Sequence, residues 1–178
     1  MIDKLGYESM CLFGGSFGAG IIAKTMCVVP DKIKRVVIYV PSGIKNAPAV
    51  NSSKMMIPMI IYWITGKDKW LKKVFLPLAI TEENISDDIF ETARLSILYS
   101  KVKTGMPSDV DEGLLKKCDA PTLVMAAERD CLFPGKDVIE RAKRIIPNCE
   151  TYLLEGRGHM NTLTKDEKKM IVDFLLKK

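Results

Sequence analysis

Three residue types used in nucleophilic catalysis occur at widely separated points of this chain. Ser16 lies in Gly14-Gly15-Ser16-Phe17-Gly18, which fits the pattern G-x-S-x-G, and Asp130 and His159 follow much later. A serine hydroxyl needs an adjacent base to become a good nucleophile, and an imidazole base needs a carboxylate that fixes its orientation. Brought together, these three side chains could transfer an acyl group.

The G-x-S-x-G pattern is informative only in its context, because a chain of this length contains one by chance about once in twenty cases. An apolar run predicts a buried strand over residues 9–14, and apolar spacing predicts a helix over 17–28. A strand-to-helix turn is the setting of a nucleophile elbow, in which the serine has strained backbone. We expect Gly14 and Gly18 to avoid clashes there, and the N–H of Phe17 to donate to an oxyanion.

The base and the acid follow predicted strands as well. His159 is the single histidine, and it follows a predicted strand over 150–154 in a glycine-rich loop. Asp130 follows a predicted strand over 121–126. Ligands bind at the carboxyl ends of strands in open parallel sheets, so we expect both residues near Ser16. Glu128 and the more remote Asp137 are alternatives for the carboxylate.

Strands and helices alternate before residue 45 and after residue 120, which indicates parallel βαβ units. The other elements predicted in these parts are a strand over 35–40 and helices over 136–146 and 164–176. Between them, helical patterns over 54–64, 69–78 and 86–101 occur without a convincing strand. The predicted fold class is α/β, a mostly parallel sheet flanked by helices with a helical cap insertion. The predicted units are 1–44, 45–117 and 118–178, of which the middle one is the cap.

The order Ser16, Asp130, His159 resembles that of the α/β-hydrolase superfamily. Three segments carry the resemblance, over about 5–44 and 118–178: Gly14-x-Ser16-x-Gly18-Ala19-Gly20, Ala127-x-x-Asp130-x-x-x-Pro134, and Gly158-His159 before an amphipathic helix. Ala127 stands where the family usually has glycine. The resemblance implies a partial α/β-hydrolase fold whose cap shapes the acyl pocket. It also makes haloalkane dehalogenase and epoxide hydrolase chemistry unlikely, because those relatives carry Asp at position 16.

The resemblance also implies about four more strands before the elbow, with a loop that carries the second oxyanion N–H. This chain starts about fifteen residues before Ser16. The elbow strand would then lie at the edge of the sheet, where an unpaired strand tends to associate. We expect a homodimer through this strand. A longer natural protein, of which this chain is a truncated product, is the alternative.

Composition argues against several other functions. The net charge is +5, but the basic clusters are short and lack interleaved aromatics, so no nucleic-acid partner is expected. The apolar run over 55–64 is shorter than the roughly 20 residues of a membrane span. Five cysteines without C-x-x-C predict no metal site, and Cys11 and Cys27 are expected to be buried. No signal peptide is recognised, so we expect a cytoplasmic protein.

The predicted function is that of a serine hydrolase acting on a small-molecule carboxylic ester or related acyl compound. Ser16 attacks, His159 transfers the proton and Asp130 orients the imidazole, without a metal or organic cofactor. Activity is expected to fall below about pH 6.5, the ordinary histidine pKa. The alternatives are a catalytically impaired hydrolase that binds a ligand or dimerises, and an enzyme that uses the same triad on carbon–carbon or amide bonds.

Overall fold

The computed structural model describes residue 4 and residues 6–48, 53–100 and 108–177. Within them lie four strands, seven α-helices and two short 3₁₀ helices (Pro30–Lys32 and Glu82–Asn84). The strands are β1 (Met10–Gly15), β2 (Ile33–Tyr39), β3 (Thr122–Ala127) and β4 (Cys149–Leu154). The helices are α1 (Ser16–Val28), α2 (Ser53–Thr65), α3 (Asp68–Ala79), α4 (Asp87–Tyr99), α5 (Glu112–Leu115), α6 (Gly135–Ile145) and α7 (Lys165–Leu176).

The four strands form one parallel sheet in the order β1-β2-β3-β4. Side chains of β2 alternate between its two faces: Val36 and Ile38 join the apolar cluster of α1 and α6, and Val37 joins that of α7. All six residues of β3 are buried. A strand that is covered on both faces needs apolar side chains on each of them. Its sequence is therefore a run of apolar residues rather than an alternation of apolar and polar ones, as in β2 and β3. The predicted α/β fold class, a parallel sheet flanked by helices, is therefore confirmed.

The helices between β2 and β3 have an apolar cluster of their own, which includes Tyr62, Leu71, Val74 and Phe90. Three helices were predicted here, and each begins and ends within about two residues of α2, α3 or α4. Residue 101, the predicted end of the last one, lies outside the described residues. The short α5 was not predicted, and in the described part of this segment there is no strand. The division of the chain at residues 44 and 117 remains a prediction.

Strand β1 differs from the buried strand that its sequence predicted. Among the described strands it pairs with β2 alone and forms an edge of their sheet, as expected for the elbow strand. Leu12 packs against the core, whereas Cys11 and Phe13 point to the other face and are exposed. The expected burial of Cys11 is therefore wrong, and Cys27 on α1 is only half-buried. An apolar run does not distinguish an edge strand from a central one.

Gly135, the first residue of α6, allows this helix to pack tightly against the end of β3. A Cβ atom built there would lie 2.4 Å from the carbonyl oxygen of Ala127. We expect Gly135→Ala to lower the free energy of unfolding by about 1–3 kcal/mol, because backbone must move. Chemical denaturation measures this. The control is Gly113→Ala, whose Cβ would have its nearest contact at 3.4 Å; equal losses in both variants would contradict the prediction.

Candidate active site

The candidate nucleophile, Ser16, lies where β1 passes directly into α1. Its φ angle is 51°, in the left-handed region that is unfavourable for a residue with a side chain. A Cβ atom at Gly14 would lie 2.6 Å from Ile22 Cδ1 and 3.1 Å from the carbonyl carbon of Gly18. A side chain at position 14 would therefore crowd the first turn of α1 where it folds back over the strand end.

The second glycine of the pattern does not have the role expected of it. A Cβ atom at Gly18 would meet no atom of the described residues within 4 Å, so avoidance of a clash does not explain it. The close approach is instead at Gly20, where a Cβ atom would lie 2.3 Å from Ser42 Oγ. The backbone N–H of Ser42 donates to the Ser16 carbonyl oxygen over 3.2 Å. Ser42 thus contacts the elbow at both Gly20 and Ser16. The sequence pattern did not indicate this role of Ser42.

The structure brings together the three residues that sequence reasoning selected. Ser16 Oγ lies 2.9 Å from His159 Nε2, and His159 Nδ1 lies 2.7 Å from Asp130 Oδ2. With the proton on Nδ1, the imidazole donates to Asp130 and its Nε2 accepts from the Ser16 hydroxyl. This tautomer leaves Nε2 free to take the serine proton, as general-base catalysis requires.

Asp130 is almost completely buried, and each of its carboxylate oxygens has partners. Oδ1 accepts hydrogen bonds from the backbone N–H groups of Leu132 and Phe133, at 2.8 and 3.0 Å. Oδ2 is thereby directed at His159. The Phe133 ring also packs edge-on against the imidazole, with centroids 5.3 Å apart. Backbone and aromatic contacts therefore fix the positions of the Asp130 carboxylate and of the His159 imidazole.

The two alternative acids lie elsewhere. Glu128 accepts from the backbone N–H of Gly156 and forms an ion pair with Lys136. These contacts hold the pKa of Glu128 below its ordinary value, the Gly156 hydrogen bond having the largest effect. Asp137 lies on α6, beside Arg141 and Lys45 in a shallow surface depression. Among the described residues, only Asp130 has a carboxylate within hydrogen-bond distance of His159.

An ion pair anchors the loop that carries His159. Arg157 donates two hydrogen bonds of 2.8 Å to the carboxylate of Glu167, which is buried on α7. Glu167 also accepts from the backbone N–H of Thr164 and completes a capping box at the start of α7. Sequence reasoning missed this pair, although the pattern Thr164-x-x-Glu167 is a recognisable helix-start signal.

Phe17 is the second residue of α1, and its side chain is exposed. Gly15, the N-cap of α1, has no side chain that could accept from the first amides of this helix.

Among the described residues there is no group of three side chains suited to hold a metal ion. None of the described helices is long and apolar enough to cross a membrane.

The sheet order, the elbow and the histidine loop together define the class of protein: the chain has the C-terminal part of the α/β-hydrolase fold. In particular, it is 22% identical to carboxylesterase YbfK of Bacillus subtilis, over 98% of this chain and 60% of that protein. The crystal structure of the same carboxylesterase, CesB (YbfK), matches 99% of this chain with a TM-score of 0.77 and 18% identity.

Two further solved structures extend the comparison. Naproxen esterase of Bacillus subtilis matches 97% of this chain and 60% of its own, with a TM-score of 0.74 and 14% identity. The meta-cleavage product hydrolase of Pseudomonas fluorescens matches 97% and 66%, with a TM-score of 0.68 and 16% identity. No protein-family model matches the chain. The chain spans about 60% of the length of the carboxylesterase relative.

The Arg157–Glu167 pair should make stability depend on pH. Burial raises the pKa of Glu167, but its hydrogen bonds to Arg157 and Thr164 outweigh this and leave the pKa below the ordinary value. A carboxyl whose pKa is lowered by folding stabilises the fold above its ordinary pKa, and loses this effect as pH falls through the lower value. We expect Glu167→Gln to cost about 1–3 kcal/mol at pH 7 and clearly less at pH 3.5.

Urea denaturation of the parent and the variant at both pH values measures this difference. The exposed Glu155 supplies the control, Glu155→Gln, which should change stability by less than about 0.5 kcal/mol. A cost for Glu167→Gln that is the same at pH 7 and pH 3.5 would contradict this account.

Proposed function

We propose that this chain is the catalytic part of a serine hydrolase that cleaves a carboxylic ester of a small-molecule acyl substrate. The hydrogen-bonded series Ser16–His159–Asp130 carries the proposal. Its order along the chain and its place at the carboxyl ends of β1, β3 and β4 are those of α/β-hydrolases. Carboxylesterases among the similar proteins support the ester as the bond that is cleaved.

In the proposed mechanism, Ser16 Oγ attacks the ester carbonyl carbon while its proton passes to His159 Nε2. Asp130 stabilises the resulting imidazolium through Nδ1. The backbone N–H of Phe17 donates to the oxyanion of the tetrahedral intermediate. The intermediate collapses, the alkoxide leaves with the proton from Nε2, and Ser16 retains the acyl group.

Hydrolysis of the acyl-enzyme by water completes the cycle, again with His159 as the base. His159 takes a proton from the water molecule, whose oxygen attacks the acyl carbon, and then returns the proton to Ser16 Oγ as the carboxylic acid leaves. No step uses a metal or an organic cofactor. Each N–H donor to the oxyanion contributes about 10²–10³ in rate.

The second candidate function is a ligand-binding or dimerising module, which the exposed edge of β1 favours. Phe13 on β1 is 52% exposed, and Phe17 and Ile21 on the neighbouring α1 are 62% and 54% exposed. An edge strand with apolar neighbours is a template for pairing with another chain. We propose that two copies pair through β1 across a two-fold axis.

We also propose that the protein acts in the cytoplasm and has no nucleic-acid partner. All five cysteines are free thiols, as expected in a reducing compartment. Burial raises the pKa of the Cys149 thiol to about 11, so this thiol stays protonated at neutral pH and is a poor nucleophile. This thiol therefore does not compete with Ser16 as the nucleophile of the proposed reaction.

Ester hydrolysis tests the proposed roles directly. We expect Ser16→Ala to abolish hydrolysis of nitrophenyl esters, because the attacking hydroxyl is removed. Asp130→Asn should lower kcat by about 10⁴, because the imidazole then holds its proton on the wrong nitrogen. Asp137→Asn, on the surface of α6, is the matched control and should stay within about twofold of the parent.

A Ser16→Ala variant as active as the parent would contradict the proposal. A parent without turnover of any ester would favour the ligand-binding module instead. The same variants assayed on amides and diketones determine whether the bond cleaved is an ester, an amide or a carbon–carbon bond.

Light scattering tests the proposed homodimer. We expect twice the 19.9 kDa mass of one chain at micromolar concentration. Phe13→Lys should shift the protein toward the monomer, because two charged side chains would meet near the paired edges. Tyr99→Lys on α4, where the side chain is 82% exposed, is the control. A monomeric parent would rule out association through β1.

A further inference from the structure

Tyr39, the last residue of β2, lies directly beside the elbow. It is paired with Gly15 across the β1–β2 register, and a Cβ atom at Gly15 would lie 3.3 Å from Tyr39 Cδ1. The aromatic ring therefore packs against the residue that precedes Ser16. Its hydroxyl donates to Asn161 Oδ1 over 2.5 Å and lies 3.1 Å from the Asn161 carbonyl oxygen.

The side chain of Asn161 also binds the backbone next to His159. Its Nδ2 donates to the Gly158 carbonyl oxygen over 2.7 Å. Both polar atoms of the Asn161 amide group are thus satisfied, one by Tyr39 and one by the residue before His159. The amide joins the two sides of the loop that carries the imidazole.

The opposite side of this loop is held by α3. The backbone N–H of Met160 donates to the Leu78 carbonyl oxygen over 2.9 Å, and a Cβ atom at Gly158 would lie 2.3 Å from the same oxygen. The loop backbone therefore has no room to move toward α3. On the side next to the elbow, the contact that holds the loop is the link from Tyr39 through Asn161.

We propose that Tyr39 is a positioning residue of the active site, which through Asn161 holds the His159 loop so that the imidazole lies between Ser16 and Asp130. This inference rests on the proposed function of these three residues. Tyr39 connects the nucleophile and base segments directly, since its ring contacts the elbow and its hydroxyl holds the base loop. A misplacement of about 1 Å in such a constellation is enough to cost about 10² in rate.

The environment of Tyr39 suits a permanent hydrogen-bond donor. Burial raises the pKa of its phenol to about 12, despite the opposing effects of Arg157 and of the hydrogen bond to Asn161. Glu167 and Asp130, the acids that face it, act in the same direction as burial. The hydroxyl therefore keeps its proton over the whole pH range in which an esterase works.

The single histidine makes this proposal testable by NMR spectroscopy on the full chain, because every imidazole signal belongs to His159. The measured quantity is the rate at which the Nδ1 proton exchanges with water. We expect Tyr39→Phe, which removes one oxygen and keeps the ring, to raise this rate about fivefold to tenfold. Asn161→Leu should have a similar effect, and the double variant should exceed neither single variant appreciably, because the two residues form one link.

Tyr152→Phe is the matched control. Tyr152 on β4 is half-buried in the same apolar cluster as Tyr39, and its hydroxyl makes no hydrogen bond to any described residue. Its removal should leave the Nδ1 exchange rate within twofold of the parent. On a nitrophenyl ester, Tyr39→Phe should lower kcat about tenfold to a hundredfold with KM within twofold, whereas Tyr152→Phe should change neither.

The proposal is overturned if Tyr39→Phe and Asn161→Leu leave the exchange rate within twofold of the parent, or if Tyr152→Phe raises it equally. A parent whose Nδ1 proton exchanges freely would also overturn it, since the imidazole would then not be held against Asp130. Should the parent hydrolyse no ester, the proposed function fails, whereas the exchange comparison still decides whether Tyr39 positions the imidazole.

Discussion

The parallel pairing of four strands is the constraint on which the whole site depends. Every strand ends at the same edge of the sheet, and each contributes a polar side chain there: Ser16 after β1, Tyr39 at the end of β2, Asp130 after β3 and His159 after β4. Residues 143 positions apart in the chain thereby meet at 2.9 Å. The two central strands, β2 and β3, are mostly buried, and they fix the register of the outer strands that lead into Ser16 and His159.

The strained backbone of the site is held by hydrogen bonds to the central strands. Ser16 and Val40 have φ angles of 51° and 39°, each of which costs on the order of 1–3 kcal/mol for a residue with a side chain. Both lie at the carboxyl edge of the sheet. The Val40 N–H donates to the Met125 carbonyl oxygen over 2.8 Å, and the Ser42 N–H donates to the Ser16 carbonyl oxygen. The turn after β2 thus supports the strained turn after β1, and the buried sheet supports both.

Sequence patterns predicted the parts of this arrangement that depend on local chemistry. Periodicity indicated the strands and the longer helices, and the positions of Ser16, Asp130 and His159 after predicted strands indicated one edge of the sheet. The contacts of Tyr39 and Arg157 could not be predicted, because they depend on strand register and on the path of a loop. The four-residue α5 is too short for a periodic signal, and the exposure of Cys11 depends on where β1 lies in the sheet. The oxyanion role of Phe17 remains a prediction.

The central claim is that Ser16 is activated by His159 and Asp130 within this chain. Mass spectrometry after treatment with a fluorophosphonate probe tests it most directly, because the probe reacts covalently with activated serines and needs no knowledge of the substrate. We predict a single adduct that maps to Ser16 in the parent and is absent from Ser16→Ala. A folded parent that gives no adduct, or an adduct on another residue that persists in Ser16→Ala, would contradict it.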